Sequence, residues 1–187
     1  MIAIGITGSI ASGKSTVAQL IAKNKHPLFN ADKIVQGLYK NSKFIKHLVG
    51  EFNLSSDKKL KTQIKLLIKK RSKDKLKKLE SIVHPHVRKK MINFLKKKDK
   101  ILVLEIPLLI ENKLNKYFDK IIFVDAKKEL RLKRYLKHNQ DKEMFEILNK
   151  KQLPRAVKQK KCDFTINNNY SLAKLKKNVK KFIINNE

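Results

Sequence analysis

The chain opens on residues 1 to 16, MIAIGITGSIASGKST, an apolar run that breaks into a turn bounded by Gly8 and Gly13. A short apolar stretch without polar alternation is what a parallel strand covered on both faces requires. Gly8 to Ser15 then satisfies G-x-x-x-x-G-K-[ST] in full, directly after that strand, which is the context in which the pattern binds phosphate. Backbone N–H groups of Gly8, Ala11, Ser12 and Gly13 are read as the cradle of a nucleotide phosphate. Lys14 is placed to reach β- and γ-phosphate oxygens, Ser15 to ligate Mg²⁺, and Thr16 to donate to the α-phosphate. ATP with Mg²⁺ is the implied ligand pair, and Lys14 the first catalytic candidate.

Working outward, apolar positions over residues 16 to 22 predict a helix, with His26-Pro27 ending that stretch before a brief strand at residues 28 and 29. Residues 31 to 98 are lysine-rich and helix-compatible, with Ile64, Leu67 and Ile68 on one apolar stripe, and read as an inserted block of helices. Further strands are predicted at 101 to 104, 121 to 124 and 164 to 166. Strands alternating with helices and no hairpin signal give an α/β fold: three layers, with a mostly five-stranded parallel sheet between helices, of the P-loop NTPase kind, in one domain. Residues 138 to 151, flanked by Arg134 and Arg155, read either as a helical lid over the nucleotide or as an ordinary surface helix pair. The lysine runs at 58 to 61, 73 to 78 and 96 to 100 read as solvated faces and turns.

Composition limits the function classes. The 187 residues carry 46 Lys+Arg against 16 Asp+Glu, a formal charge of +30. Only five of these cations are arginines (Arg71, Arg88, Arg131, Arg134 and Arg155), although phosphate and base readout favours arginine's bidentate fork. Lysine is spread along the whole chain beside abundant Asn and Ile, which reads either as compositional drift or as attraction to polyanionic substrates or weak nonspecific RNA binding, and no specific nucleic-acid partner is expected. No uninterrupted apolar run of about 18 residues occurs, and the start lacks a basic segment with a cleavage site. A soluble cytoplasmic protein without a membrane partner, monomeric or weakly oligomeric, is the expectation. The single cysteine, Cys162, can form no intramolecular disulfide and reads as a small buried residue.

A phosphate loop alone does not separate a kinase from a GTPase switch or a nucleic-acid motor. The length suits a small-molecule kinase, and the N-K-x-D motif of base-reading GTPases is absent from the sequence. Phosphoryl transfer benefits from a carboxylate at the acceptor hydroxyl. Asp32, just past the second strand, fits that role and fits a helix N-cap equally well. Glu105, at the carboxyl end of the central strand, occupies a place suited to holding a Mg²⁺-bound water.

The run GITGSIASGKSTV, Asn30-Ala31-Asp32, His84-Pro85, Ile106 to Glu111 (IPLLIE) and the segment Asp163 to Asn169 together resemble the dephospho-CoA kinase family in order and spacing, across essentially the whole chain. The resemblance implies ATP-dependent phosphorylation of the ribose 3′-hydroxyl of dephospho-CoA. It implies Asp32 as catalytic base, and His84, Pro85, Arg88, Pro107, Leu108 and Glu111 as residues of the acceptor region, with residues 31 to 98 as the acceptor-binding part. Gln152 and Arg155 resemble the family's Q-x-x-R feature, where a guanidinium stabilises charge on the transferred phosphoryl, and Arg134 offers the same chemistry from the preceding helix. Asn168 and Asn169 fall on the family's asparagine pair near the adenine. Five positions depart from the family pattern. Asn30 replaces an aspartate; Ser9 and Ala11 replace glycines, which negative φ angles would tolerate; Tyr170 replaces a glycine, and His138 a lid arginine.

Overall fold

In the computed structural model, residues 1–55, 60–69, 73–139 and 141–184 are described. Arg71, Lys58 and Lys59 of the first lysine run, and Gln140 within the 138 to 151 stretch lie outside them. The chain divides into two compact units, one built from Met1–Asn30 with Leu95–Glu187 and the other from Ala31–Phe94.

The first unit is the α/β body. Its strands are β1 (Ile2–Gly8), β2 (Leu28–Asn30), β3 (Ile101–Glu105), β4 (Lys120–Asp125) and β5 (Phe164–Asn167). They form one sheet in the order β2-β3-β1-β4-β5, every neighbouring pair parallel. Ile6 pairs with Glu105 and Gly8 with Val124, so the turn after β1 leaves the sheet beside the carboxyl ends of β3 and β4. Parallel α/β sheets present ligand sites at that edge, because every crossover helix begins there. Ile6, Leu102, Val103, Leu104, Ile122, Phe123 and Val124 are buried, as strands covered on both faces must be.

Helix α1 (Lys14–Ala22) follows the turn and packs Val17, Ala18 and Ile21 against Ile4, Val103 and Val124 of the sheet, together with Leu175 and Val179 of the last helix. It closes at Ala22 on Lys23 and Asn24, both at positive φ, before His26-Pro27 is reached, so a left-handed cap and not the proline ends it. The proline cannot have been the stop once the backbone N–H of Lys23 had turned back to Gln19 O.

The second unit is helical: α2 (Ala31–Leu38), α3 (Ser42–Phe52), α4 (Leu60–Lys69) and α5 (Lys73–Leu95), the last crossing into the first unit at its final residue. Its core is a separate cluster of Phe44, Leu48, Ile64, Leu79 and Val83, with Leu67 half-buried and Ile68 packed at the edge. The remaining helices are α6 (Lys128–Asn139), α7 (Lys142–Lys150), α8 (Arg155–Lys160) and α9 (Leu172–Ile184), all in the first unit. Asp141 caps α7 by accepting from the backbone N–H of Met144, which accounts for the break between α6 and α7. No helix among the described residues is long and apolar enough to cross a membrane.

Candidate active site

Gly8 and Gly13 frame the phosphate loop for different reasons. A Cβ on Gly8 would lie 2.5 Å from the carbonyl oxygen of Val124, so the backbone runs too close to β4 for any side chain. Gly13 holds φ +95°, and a Cβ there would lie 2.2 Å from Asn168 Nδ2. That amide donates to the carbonyl of Ser12 at 2.8 Å, so Asn168 braces the loop backbone where an adenine contact was expected. Ala11 sits at φ 57°, in the left-handed region, against the expectation of a negative angle. An L-residue other than glycine gives up about 1–2 kcal/mol in that conformation, because Cβ approaches the following carbonyl oxygen. The loop retains its shape with alanine at this position at that expense.

Lys14 is buried at the head of α1 and its ammonium donates to the carbonyl of Ser9 at 3.0 Å. Ser12 is fully buried, and Thr16 is half-buried in the first turn of α1. Ser15 Oγ donates to Glu105 Oε1 at 2.6 Å, while Asn30 Nδ2 donates to the other oxygen, Glu105 Oε2. Glu105 is buried, so two neutral donors surround an acidic group that strand register delivers to the loop. The substitution of Asn30 for an aspartate thus places an amide, not a second carboxylate, beside Glu105, and avoids like-charge repulsion there. The Ser15 hydroxyl and the Glu105 carboxylate are hard oxygen donors and fit Mg²⁺, which is commonly held by one or two protein oxygens, with phosphates and waters completing the shell. No group of three or more His, Cys, Asp or Glu side chains suited to a metal occurs among the described residues, and such a shell needs none.

Residues from α6 through α8 clamp the loop from outside. The backbone N–H of Ile10 donates to Gln152 Oε1 at 3.0 Å, and the carbonyl of Ile10 accepts from Arg131 Nη1 at 3.4 Å. Arg131 also donates to Asn149 Oδ1 at 2.8 Å and to the carbonyl of Ala126 at 3.1 Å. Burial pushes its guanidinium below the usual arginine range, with Asp125, Glu129 and Glu146 opposing that shift. Arg155 forks onto Asp125 at 2.8 and 2.7 Å. That hydrogen-bonded carboxylate lifts its affinity for the proton further, so Arg155 stays charged. Arg134 donates to the carbonyl of Asn168 at 2.9 Å, and its Nη1 is buried without a hydrogen-bond partner. Asn169 accepts from the backbone N–H of Lys127 at 2.7 Å. His138 and Tyr170 are exposed.

The IPLLIE segment leaves β3 into the same unit. Leu109 is fully buried in the space that Gly5 leaves open; a Cβ on Gly5 would lie 2.7 Å from it. Leu109 is therefore core, whereas Leu108 is half-buried. The Pro107 carbonyl accepts from Thr7 Oγ1 at 3.1 Å. Glu111 accepts from the backbone N–H of Leu153 at 3.1 Å and pairs with the ammonium of Lys158 at 2.7 Å.

In the helical unit, Asp32 lies in the first turn of α2 and is exposed; it is inside the helix and not the residue before it, which removes the N-cap reading. Pro85 falls inside α5, where a proline withholds one backbone donor and costs about 3 kcal/mol. His84 thus sits mid-helix. Ser81, His84, Pro85, Arg88, Lys89 and Ile92 share one stripe of α5 and line an open groove of about 460 Å³.

Residues 2–174 match the family model described as CoaE: Dephospho-CoA kinase. The chain belongs to the dephospho-CoA kinase family. It is 36% identical over 188 residues to a dephospho-CoA kinase of Fusobacterium nucleatum, covering 96% of this chain and 95% of that one. It is 37% identical over 190 residues to a dephospho-CoA kinase of Listeria monocytogenes, at 96% and 94% coverage. Among solved structures it is similar to a dephospho-CoA kinase from Campylobacter jejuni, with a TM-score of 0.66, 30% identity and coverage of 97% and 95%. Membership of the dephospho-CoA kinase family makes the chain an ATP-dependent phosphotransferase with a small-molecule acceptor.

Three contributors to this dephospho-CoA kinase site escaped the sequence reading. Arg131 and Asp125 sit in ordinary helical and strand patterns, and nothing local distinguishes them. Lys158 is one lysine among many. Gln152 was singled out, but as a neighbour of the lid arginine and not as a brace on Ile10. The strand order brings the segments that follow β1, β3 and β4, far apart in sequence, to one edge of the sheet, where these side chains meet their partners.

Proposed function

We propose that this chain transfers the γ-phosphoryl group of ATP to the ribose 3′-hydroxyl of dephospho-CoA, giving CoA and ADP. The observation that carries this reading is a complete phosphate loop, with Lys14 and the Ser15–Glu105 pair at its head, inside a family match that runs nearly the length of the chain. Gly8 to Gly13 offer backbone N–H groups to the β-phosphate, and Lys14 exchanges its Ser9 contact for β- and γ-phosphate oxygens. Ser15 and Glu105 would hold Mg²⁺, which supplies charge neutralisation at the phosphates when bound. Asp32 accepts the proton of the acceptor hydroxyl as that oxygen attacks the γ-phosphorus. Of the two lid arginines, Arg134 retains a donor at Nη1, and we assign it to the nucleotide phosphates; Arg155, held by Asp125, adds fixed positive charge. Residues 138 to 151 act as the lid that excludes water. His84, Pro85 and Arg88 on the groove of α5 bind the acceptor, with Arg88 on an acceptor phosphate. A cytoplasmic location and a monomeric or weakly associating state accompany this reading.

The test is ADP release from purified protein with ATP and Mg²⁺, comparing no acceptor, dephospho-CoA, AMP and single-stranded RNA, with mass spectrometry of the products. Turnover that depends on dephospho-CoA and yields CoA is expected. Turnover with AMP alone would reassign the acceptor, and RNA-stimulated hydrolysis would replace the kinase reading with a polynucleotide-dependent one.

A further inference from the structure

Lys158 is fully buried on α8, and its ammonium meets Glu111 Oε1 at 2.7 Å, with the Glu111 side chain itself 12% exposed. A buried ion pair of this kind is weak as a source of stability. Desolvating both charges consumes most of their attraction, and a well-packed apolar pair of similar volume often holds a fold as well or better. What an apolar pair cannot do is accept a hydrogen bond. Glu111 Oε1 also accepts the N–H of Leu153, which belongs to the peptide joining Leu153 to Gln152. Gln152 in turn receives the N–H of Ile10 on the phosphate loop. A continuous series of polar contacts therefore runs from Lys158 through Glu111 to the Gln152 peptide and from the Gln152 amide to the loop.

Three side chains within residues 152 to 158 attach this segment to three different places: Gln152 to Ile10, Arg155 to Asp125 and Lys158 to Glu111. The first two contacts are half-buried or exposed at one partner, and only the third is anchored in the interior. We propose that Lys158 and Glu111 are positioning residues for nucleotide binding. Their ion pair fixes the Leu153 N–H, sets the Gln152 amide against Ile10, and so holds the phosphate loop in the shape that ATP occupies. Glu111 then acts inside the protein, through Gln152, instead of on the acceptor. This inference rests on the reading of Gly8 to Ser15 as the ATP loop, and it does not depend on the identity of the acceptor.

The experiment measures the affinity for a non-hydrolysable ATP analogue by calorimetry, together with Tm, without acceptor. The variants are Lys158→Met, Lys158→Met/Glu111→Leu, Gln152→Ala, and the triple combination. Lys158→Met strands the Glu111 charge and lowers Tm; where it does not fold, the apolar pair supplies the comparison. The Lys158→Met/Glu111→Leu protein is expected to keep a Tm near that of the unaltered chain while binding the analogue about tenfold more weakly. Gln152→Ala is expected to weaken binding in the unaltered chain and to add little in the apolar-pair background, since both act through one contact. Analogue affinity unchanged by the apolar pair, or a Gln152→Ala effect of equal size in both backgrounds, would overturn the proposal. A protein that binds the analogue but does not turn over dephospho-CoA defeats the acceptor assignment alone and leaves this inference standing.

Discussion

The α/β unit and the helical unit place chemistry-bearing side chains in opposite ways. In the first, several side chains at the phosphate loop are tied to backbone or side-chain partners: Asn168 to Ser12, Gln152 and Arg131 to Ile10, and Ser15 and Asn30 to Glu105. In the second, Asp32, Pro85 and Arg88 stand exposed on the surfaces of helices whose own core is a small cluster around Phe44 and Leu48. Preorganised donors are what stabilise developing charge, because they need no rearrangement when the phosphoryl group moves. On the function proposed above, acceptor recognition falls to exposed side chains along the groove of α5. On that function, phosphate chemistry falls to the α/β unit and acceptor contact to the helical one.

Asp32→Asn offers the hardest challenge to this division. It is expected to lower kcat by about 10²–10⁴-fold while ATP affinity stays nearly unchanged, read by steady-state kinetics beside calorimetry. Full turnover in the variant would remove Asp32 from proton transfer.

Cys162 is half-buried and not the fully buried residue expected, and its thiol reports on how closed the packing around it is. Burial first, and then the negative charge of Asp163, raise its thiol from 9.0 to about 11. Two pKa units leave about a hundredfold less thiolate at pH 8, so alkylation of the native protein is expected to be slower by about that factor than after unfolding. Because the folded pKa is the higher one, the folded chain holds the proton longer than the unfolded one. The associated stability is present below pH 9 and falls as pH rises from there through about 11. Native labelling as fast as in denaturant would show a looser unit than the contacts describe.

Arg88→Ala sharpens the comparison from the helical side. It is expected to raise KM for dephospho-CoA about tenfold, as loss of one charge-assisted phosphate contact does, with ATP affinity unaltered. An equal loss in ATP affinity would break the separation of roles. The smallest effect is expected from Ala11→Gly, which relieves the left-handed strain at φ 57° but adds freedom to the unfolded chain. A net gain of about 1 kcal/mol or less is expected, measured as a higher Tm.

The sheet was legible because its information is local: apolar runs near residues 2, 101, 121 and 164 need only their own composition to be read as buried parallel strands, and each falls within a residue or two of the strand found. The phosphate loop was legible for the same reason. Within residues 31 to 94 the described elements are helices, in a segment that lacks the apolar run a sheet strand would have needed. The stop of α1 was misplaced because a left-handed cap on lysine leaves no mark in composition, whereas proline does. Pro85 is the reverse case, since tertiary context allows a proline inside α5 that local rules would exclude.

The sequence by itself determined the layered α/β architecture and the phosphate loop, which rest on periodicity and spacing within short segments, and it carried the motifs that make up the family resemblance. Only the tertiary structure decided that Asn168 lies on the loop backbone, that Arg131 and Gln152 grip Ile10, and that Glu111 meets Lys158. Those partners are separated by tens of residues or more, and their meeting depends on strand order and helix packing, which no local pattern encodes.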